Sequence, residues 1–266
     1  MIVLPMAGLS KRFADAGYEK PKYMLDLHGR SVFWYSVSSF KYYFKKEKFV
    51  FVLRDVHGTK QFVKESCIEM GILDFEIVVL HHDTKGQAET VFLGLHQIGA
   101  LGEDPVSIFN IDTFRPGFRH PEGKILESDG YLEVFRGEGE QWSFIEPDPK
   151  ITDYSVKRTT EKKRISDYCS TGFYHFASGE LFAHVYACEI EKRAQDLPEY
   201  YVAPLYNHAI REGKLISYIE ISGEQLLFCG VPNEFQALSK MNPEQLLSLY
   251  CRRRKEFRSS EDCIQD

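Results

Sequence analysis

The sequence predicts an α/β fold with a Rossmann-like, mixed and mostly parallel sheet flanked by helices. Three observations carry this. Four short runs rich in β-branched and aromatic residues recur in the first half, at 2–4, 49–53, 76–80 and 106–110. Stretches with apolar residues at helical spacing separate them, the signature of βαβ units. The loops after the first, third and fourth runs (7–22, 81–86 and 111–114) hold residues unusual for plain turns. Ligands in such sheets sit beyond the carboxyl ends of the strands.

The elements follow in order. Residues 31–44 place Val32, Phe33, Tyr35, Val37 and Phe40 at helical spacing, with Ser31 as N-cap. Residues 58–70 and 87–98 also read as helices. The second half shows shorter strands at 131–135, 142–145, 154–157, 172–176 and 215–221. Gly137 to Glu140 reads as a hairpin turn. Helical patterns cover 179–187, 200–211 and 243–256, the last ending in the basic run Arg252-Arg253-Arg254-Lys255. No internal repeat or interdomain linker interrupts the chain. One domain over 1–240, followed by a C-terminal helix and tail over 241–266, is expected.

An apolar fraction of 43%, of which much is aromatic, supports a substantial core. The net charge of −6 argues against a nucleic-acid reader with a dominant basic face. No run approaches the ~20 apolar residues that span a bilayer, so no membrane partner is expected. The start, Met1-Ile2-Val3-Leu4-Pro5, lacks a basic leader region. The six cysteines, Cys67, Cys169, Cys188, Cys229, Cys251 and Cys263, form no C-x-x-C pair and read as reduced thiols. A cytoplasmic protein follows from these readings, and a homo-oligomer is compatible with them. His81-His82 has no zinc-type partner spacing, and Ser170 belongs to no triad signature.

The first loop, Ala7-Gly8-Leu9-Ser10-Lys11-Arg12, leads to Lys20-Pro21-Lys22. Small residues there let backbone N–H groups approach a phosphate chain. Arg12 offers a planar fork to phosphate oxygens and Lys22 a point charge. The glycine spacing is neither that of a P-loop nor of the dinucleotide fingerprint. A solvated basic turn fits the composition as well. At the end of the fourth run, Asn110-Ile111-Asp112 supplies a carboxylate, a donor suited to Mg²⁺.

Ala7-Gly8-x-x-x-Arg12-Phe13, Pro21-Lys22 and Gly29-Arg30 resemble the N-terminal signature of the sugar-phosphate nucleotidyltransferases, approximately A-G-x-G-x-R, P-K-P and G-K-P. The chain departs from it at Ser10, where the family has Gly, and at Tyr23 and Ser31, where it has Pro. Thr84 to Thr90 is similar to the family's G-T-A-x-A segment, which implies Gly86 and Gln87 beside the nucleotide base. Glu161-Lys162 and Gly172-Phe173-Tyr174 resemble the acceptor-pocket segments. Gly230-Val231-Pro232 looks like the late G-T-P. In many members an aspartate two residues before that glycine is a second metal ligand; here Phe228 stands there. Glu234 or Glu220 is a candidate replacement, as is a single protein ligand completed by phosphate oxygens and water.

The resemblance implies a GT-A-like nucleotidyltransferase fold, with an NTP-binding half over 1–115 and an acceptor-binding half over 116–240. It implies transfer of a nucleoside monophosphate from an NTP to a phosphorylated small acceptor, in a setting such as surface polysaccharide synthesis. Arg12 would meet the leaving phosphates, Lys22 the α-phosphate and Asp112 the Mg²⁺. Ala7, Gly8, Leu9, Ser10, Lys11, Gly86 and Gln87 would surround the nucleotide. Glu161, Lys162 and Gly172 would hold the acceptor. Two alternatives stay open: a glycosyltransferase using a nucleotide sugar, and a nucleotide-binding subunit without turnover.

Overall fold

The computed structural model describes residues 1–192 and 199–248. Nine strands form one mixed sheet: β1 (Ile2–Met6), β2 (Phe49–Leu53), β3 (Phe75–Val79), β4 (Val106–Phe109), β5 (Gly130–Arg136), β6 (Ser143–Pro147), β7 (Val156–Glu161), β8 (Tyr168–Phe176) and β9 (Ile216–Glu220). The main path runs β7-β6-β8-β4-β1-β2-β3, with β5 paired to β8 and β9. β3, β2, β1 and β4 are parallel, as the alternating pattern predicts. β8 joins antiparallel to β4 and links this half to the second.

Helices α1 (Lys11–Asp15), α2 (Val32–Ser38), α3 (Thr59–Met70), α4 (Gln87–Gln97), α5 (Gly179–Lys192), α6 (Tyr206–Arg211) and α7 (Pro232–Lys240) surround the sheet. The parallel strands are almost wholly apolar because both faces are covered. One core cluster joins Val3, Val50 and Val91 to Leu132, Phe182 and Tyr206; another joins Leu4, Phe33 and Phe51 to Phe109 and Phe173. Core packing is thus continuous between the two halves.

Ser31 caps α2, its hydroxyl accepting from the Trp34 N–H at 3.1 Å. The helix predicted over 31–44 ends early, followed by a 3₁₀ turn at Lys41–Tyr43. The cause is tertiary: the Ser39 carbonyl accepts from the Phe118 N–H and its hydroxyl from the Arg115 N–H. The helix predicted over 200–211 begins only at Ala203. The Tyr200 backbone is held outside the helix, its N–H donating to the Lys85 carbonyl and its carbonyl accepting from the Ala88 N–H.

The hairpin expected at 137–140 is absent. β5 and β6 lie on opposite edges of β8, so their connection crosses the end of that strand. Sequence proximity suggested pairing, but β8 inserts between them. Of the predicted C-terminal helix, residues 243–248 are helical; the rest, with its basic run, lies outside the described residues.

Candidate active site

The chain passes from β1 to β2 and β3 on one side, then returns to β4 on the other. The crevice between the carboxyl ends of β1 and β4 is therefore the topological switch point. A cleft of about 810 Å³ opens there. Every residue expected at the site lines it: Ala7, Gly8, Leu9, Ser10, Lys11, Arg12 and Lys22 from the first loop, Gly86 and Gln87 at the start of α4, Asp112 after β4, Glu161 at the end of β7 with Lys162 just after it, and Gly172 on β8.

The first loop is held by its ends. Phe13 is buried and packs edge-to-face on Phe235 of α7, which fixes α1 under the cleft rim. Ser10 takes the left-handed conformation (φ 51°, ψ 34°), which explains the glycine of the related signature. Its hydroxyl accepts from the Lys22 N–H at 3.3 Å, tying the two ends of the loop together. Tyr23, in place of the signature's proline, is buried and bonds Thr59 of α3 at 3.1 Å. That anchor fixes the backbone that carries Lys22.

Lys22 Nζ donates directly to Asp112 Oδ2. Burial pushes the Asp112 carboxyl up, but the Lys22 ammonium, its hydrogen bond and the nearby Arg12 guanidinium outweigh this. The carboxyl lies below its ordinary value and is ionised near neutral pH. Two cations of the first loop and a carboxylate distant from them in sequence thus lie together at one end of the cleft. The segment after Asp112 is clamped by Arg115, whose Nε donates to both oxygens of buried Glu133 on β5, at 3.0 and 3.2 Å.

Phe228 lies in a short strand paired with Thr113, next to Asp112, where the resemblance puts a second metal ligand. Its ring instead packs on Trp142 at 4.6 Å and Phe135 at 5.5 Å. Glu220 pairs with Arg136 and does not line the cleft, so it is not a substitute ligand. Glu234 does line it; one of its oxygens accepts from the Gly230 and Val231 N–H groups and caps α7. A Cβ on Gly230 would stand 3.0 Å from Asp112 Oδ2 and 3.6 Å from Glu234 Oε2. Both carboxylates line the cleft on either side of Gly230, an oxygen donor set suited to a hard divalent cation such as Mg²⁺ once Lys22 releases Asp112.

Gly86 and Gly172 are close-approach positions. A Cβ on Gly86 (φ 131°) would meet the Tyr200 backbone at 2.6 Å. One on Gly172 (φ 88°) would meet Asn110 Nδ2 at 2.4 Å. Gln87 donates to the Asn110 side chain, and the Asn110 N–H donates to the Gly172 carbonyl at 3.2 Å. This chain of contacts links the base side of the cleft to the opposite wall.

On that wall, burial raises the Glu161 carboxyl, and the hydrogen bond from Ser143 only partly offsets it. Lys162 takes a left-handed conformation (φ 51°) and donates to Tyr201 Oη at 2.7 Å. Burial lowers its ammonium, while Tyr201, Glu161 and Glu199 more than restore it, so it is charged. Among its basic neighbours, Lys157 and Arg158 pair with Glu146, and Arg164 with Asp167; none of these lines the cleft. Trp142, Glu199 and Tyr201 also line this wall. No motif marks them in the sequence, because only the crossing of 137–142 and the pairing of the Tyr200 backbone with Lys85 and Ala88 bring them here.

Fold and cleft together describe an α/β enzyme with its site at the switch point. No protein-family model and no curated protein matches the chain. Among solved structures it is similar to the nucleoside-diphosphate-sugar pyrophosphorylase from Vibrio cholerae RC9, with 45% identity, coverage of 91% of this chain and 100% of that one, and a TM-score of 0.85. A glucose-1-phosphate thymidylyltransferase described as putative, from Bacillus anthracis, shares the fold at 16% identity, with coverage of 91% and 95% and a TM-score of 0.68. The inositol-1-phosphate CTP transferase from T. maritima does so at 14% identity, with 97% coverage of each chain and a TM-score of 0.68. The chain belongs to the sugar-phosphate nucleotidyltransferases, the nucleotide-sugar pyrophosphorylases, and is a nucleotidyltransferase of that type. Among the described residues, no helix is long and apolar enough to cross a membrane.

Proposed function

We propose that this enzyme moves a nucleoside monophosphate from an NTP to a sugar phosphate and releases pyrophosphate, supplying a precursor for surface polysaccharide. The supporting observation is the meeting of Arg12, Lys22 and Asp112 at one end of a cleft whose other wall carries Lys162. An oxygen of the acceptor phosphate attacks the α-phosphorus in line, and the bond from that phosphorus to the β-phosphate bridging oxygen breaks. Both reactants are anions, so the protein positions them and cancels charge. Arg12 meets the leaving phosphates, Lys22 the α-phosphate, and Lys162 the acceptor phosphate. No general base is needed, because a phosphate monoester has a second pKa of about 6.

Mg²⁺ is the metal that fits, with Asp112 as its principal protein ligand and Glu234 within reach. Bound there, it would neutralise charge on the phosphates. A glycosyltransferase has no departing pyrophosphate to cradle, and the basic first loop favours the nucleotidyl transfer. The test is a matrix of NTPs against phosphorylated sugars and polyols, read by pyrophosphate release. Release that needs both partners supports the reading. Nucleotide binding without release under any pairing refutes it.

A further inference from the structure

Away from the cleft, α5 and the end of α6 bring together three side chains of different chemistry. His184 and Cys188 lie one turn apart on α5, and Glu212 follows α6 directly. His184 Nε2 stands 2.9 and 3.0 Å from the two Glu212 oxygens. Cys188 Sγ lies 3.8 Å from that nitrogen and 4.0 Å from Glu212 Oε1. A tetrahedral zinc ion with ordinary Zn–S, Zn–N and Zn–O bonds separates its ligand atoms by about 3.3–3.6 Å. The observed spacings bracket that range, so shifts of about half an ångström would close the site.

We propose that His184, Cys188 and Glu212 form a zinc site with three protein ligands and water in the fourth position. A thiolate and a carboxylate balance the two charges of the ion, and a sulfur ligand selects zinc over magnesium. Both elements are fixed before any metal arrives. α5 buries Phe182, Val185 and Tyr186, α6 buries Tyr206 and Ala209, and the two helices pack together. The Glu212 N–H is held by the His208 and Ala209 carbonyls. The neighbouring Glu189 is engaged by His208 at 2.6 Å and does not compete. No sequence motif announces the site, because its third ligand arrives through tertiary packing. The ion would clip α5 to α6, on either side of the stretch that carries Tyr201 to the cleft.

The test uses the full, metal-free chain with Cys251 and Cys263 replaced by serine, so that Cys188 is not confused with thiols outside the described residues. Zinc is titrated by calorimetry, and Co²⁺ is used as a spectroscopic probe of thiolate ligation. One equivalent of zinc, a thiolate-to-cobalt charge-transfer band and a rise in melting temperature with zinc are expected. Cys188→Ser should abolish the band, and Glu212→Gln should weaken zinc at least tenfold. Glu212→Gln alters only an exposed carboxylate, so it keeps the test valid if the cysteine variant folds poorly. No stoichiometric binding, or a band and affinity untouched by either substitution, would overturn the site. Pyrophosphate release in Mg²⁺ is a separate readout, since none of the three residues lines the cleft.

Discussion

Lys22 and Asp112, ninety residues apart, form an ion pair across the carboxyl ends of β1 and β4. The cation proposed for the α-phosphate thus rests on the carboxylate proposed for the metal. Each must exchange its partner before an NTP can be engaged. In the nucleotide-free enzyme, Lys22 therefore competes with a divalent ion for Asp112. We expect Lys22→Met to bind Mn²⁺ at least fivefold more tightly than wild type without nucleotide, measured by electron paramagnetic resonance. Equal binding would show that the pair does not restrain metal entry.

Ser10 tests the backbone requirement of the first loop. A left-handed conformation costs an L-residue about 1–2 kcal/mol, and most for β-branched side chains. Ser10→Gly removes that strain but also the bond to the Lys22 N–H, and adds freedom to the unfolded chain. Stability close to wild type is expected for Gly, with a loss of about 1 kcal/mol for Ala and more for Val. Urea denaturation would reveal the order; a Val variant as stable as the Gly variant contradicts it.

Arg115 and Glu133 give a different kind of prediction. Both side chains are almost fully buried, and the guanidinium spans both carboxylate oxygens. Glu133→Ala leaves a buried cation unpaired, a loss of about 3–5 kcal/mol. Glu133→Gln retains an acceptor and should lose less. Equal losses in the two variants would mean that Arg115 finds another partner.

A buried imidazole, His175, and a half-buried one, His120, set an acid limit on stability. Burial lowers His120 to about 4 and His175 to about 3. Both are neutral in the folded state, while in the unfolded chain they take protons near their ordinary value of about 6.5. The unfolded state then binds more protons, so the contribution present above about 6.5 is lost as pH falls towards 4. His120→Asn should reduce the slope of unfolding free energy between pH 6 and 5 by about 1 kcal/mol per unit. An unchanged slope would mean that His120 is protonated when folded.

The parallel half of the fold was legible because its strands are short apolar runs separated by periodic helices. The cleft was legible where residues follow the end of a strand, as Asp112 does, or stand in the loop that leaves one, as Arg12 and Lys22 do. Helix α7 was missed, although Pro232 at its first turn and Glu234 capping its start are ordinary signals. Other features depend on distant partners and leave no local trace. The shortened α2 depends on Phe118 reaching Ser39, and the late start of the helix after Tyr200 on that residue's pairing with Lys85 and Ala88. The insertion of β8 between β5 and β6 could not be read from neighbouring segments. Phe228 was seen as a departure, but its packing against Trp142 required the fold.

The most direct test of nucleotidyl transfer is pyrophosphate release by wild type and Lys22→Ala with the preferred NTP and acceptor. If Lys22 meets the α-phosphate during transfer, turnover in the variant falls at least about tenfold, or about 1.4 kcal/mol in the barrier, while the fold stays intact by circular dichroism. Release at the wild-type rate would contradict the assignment.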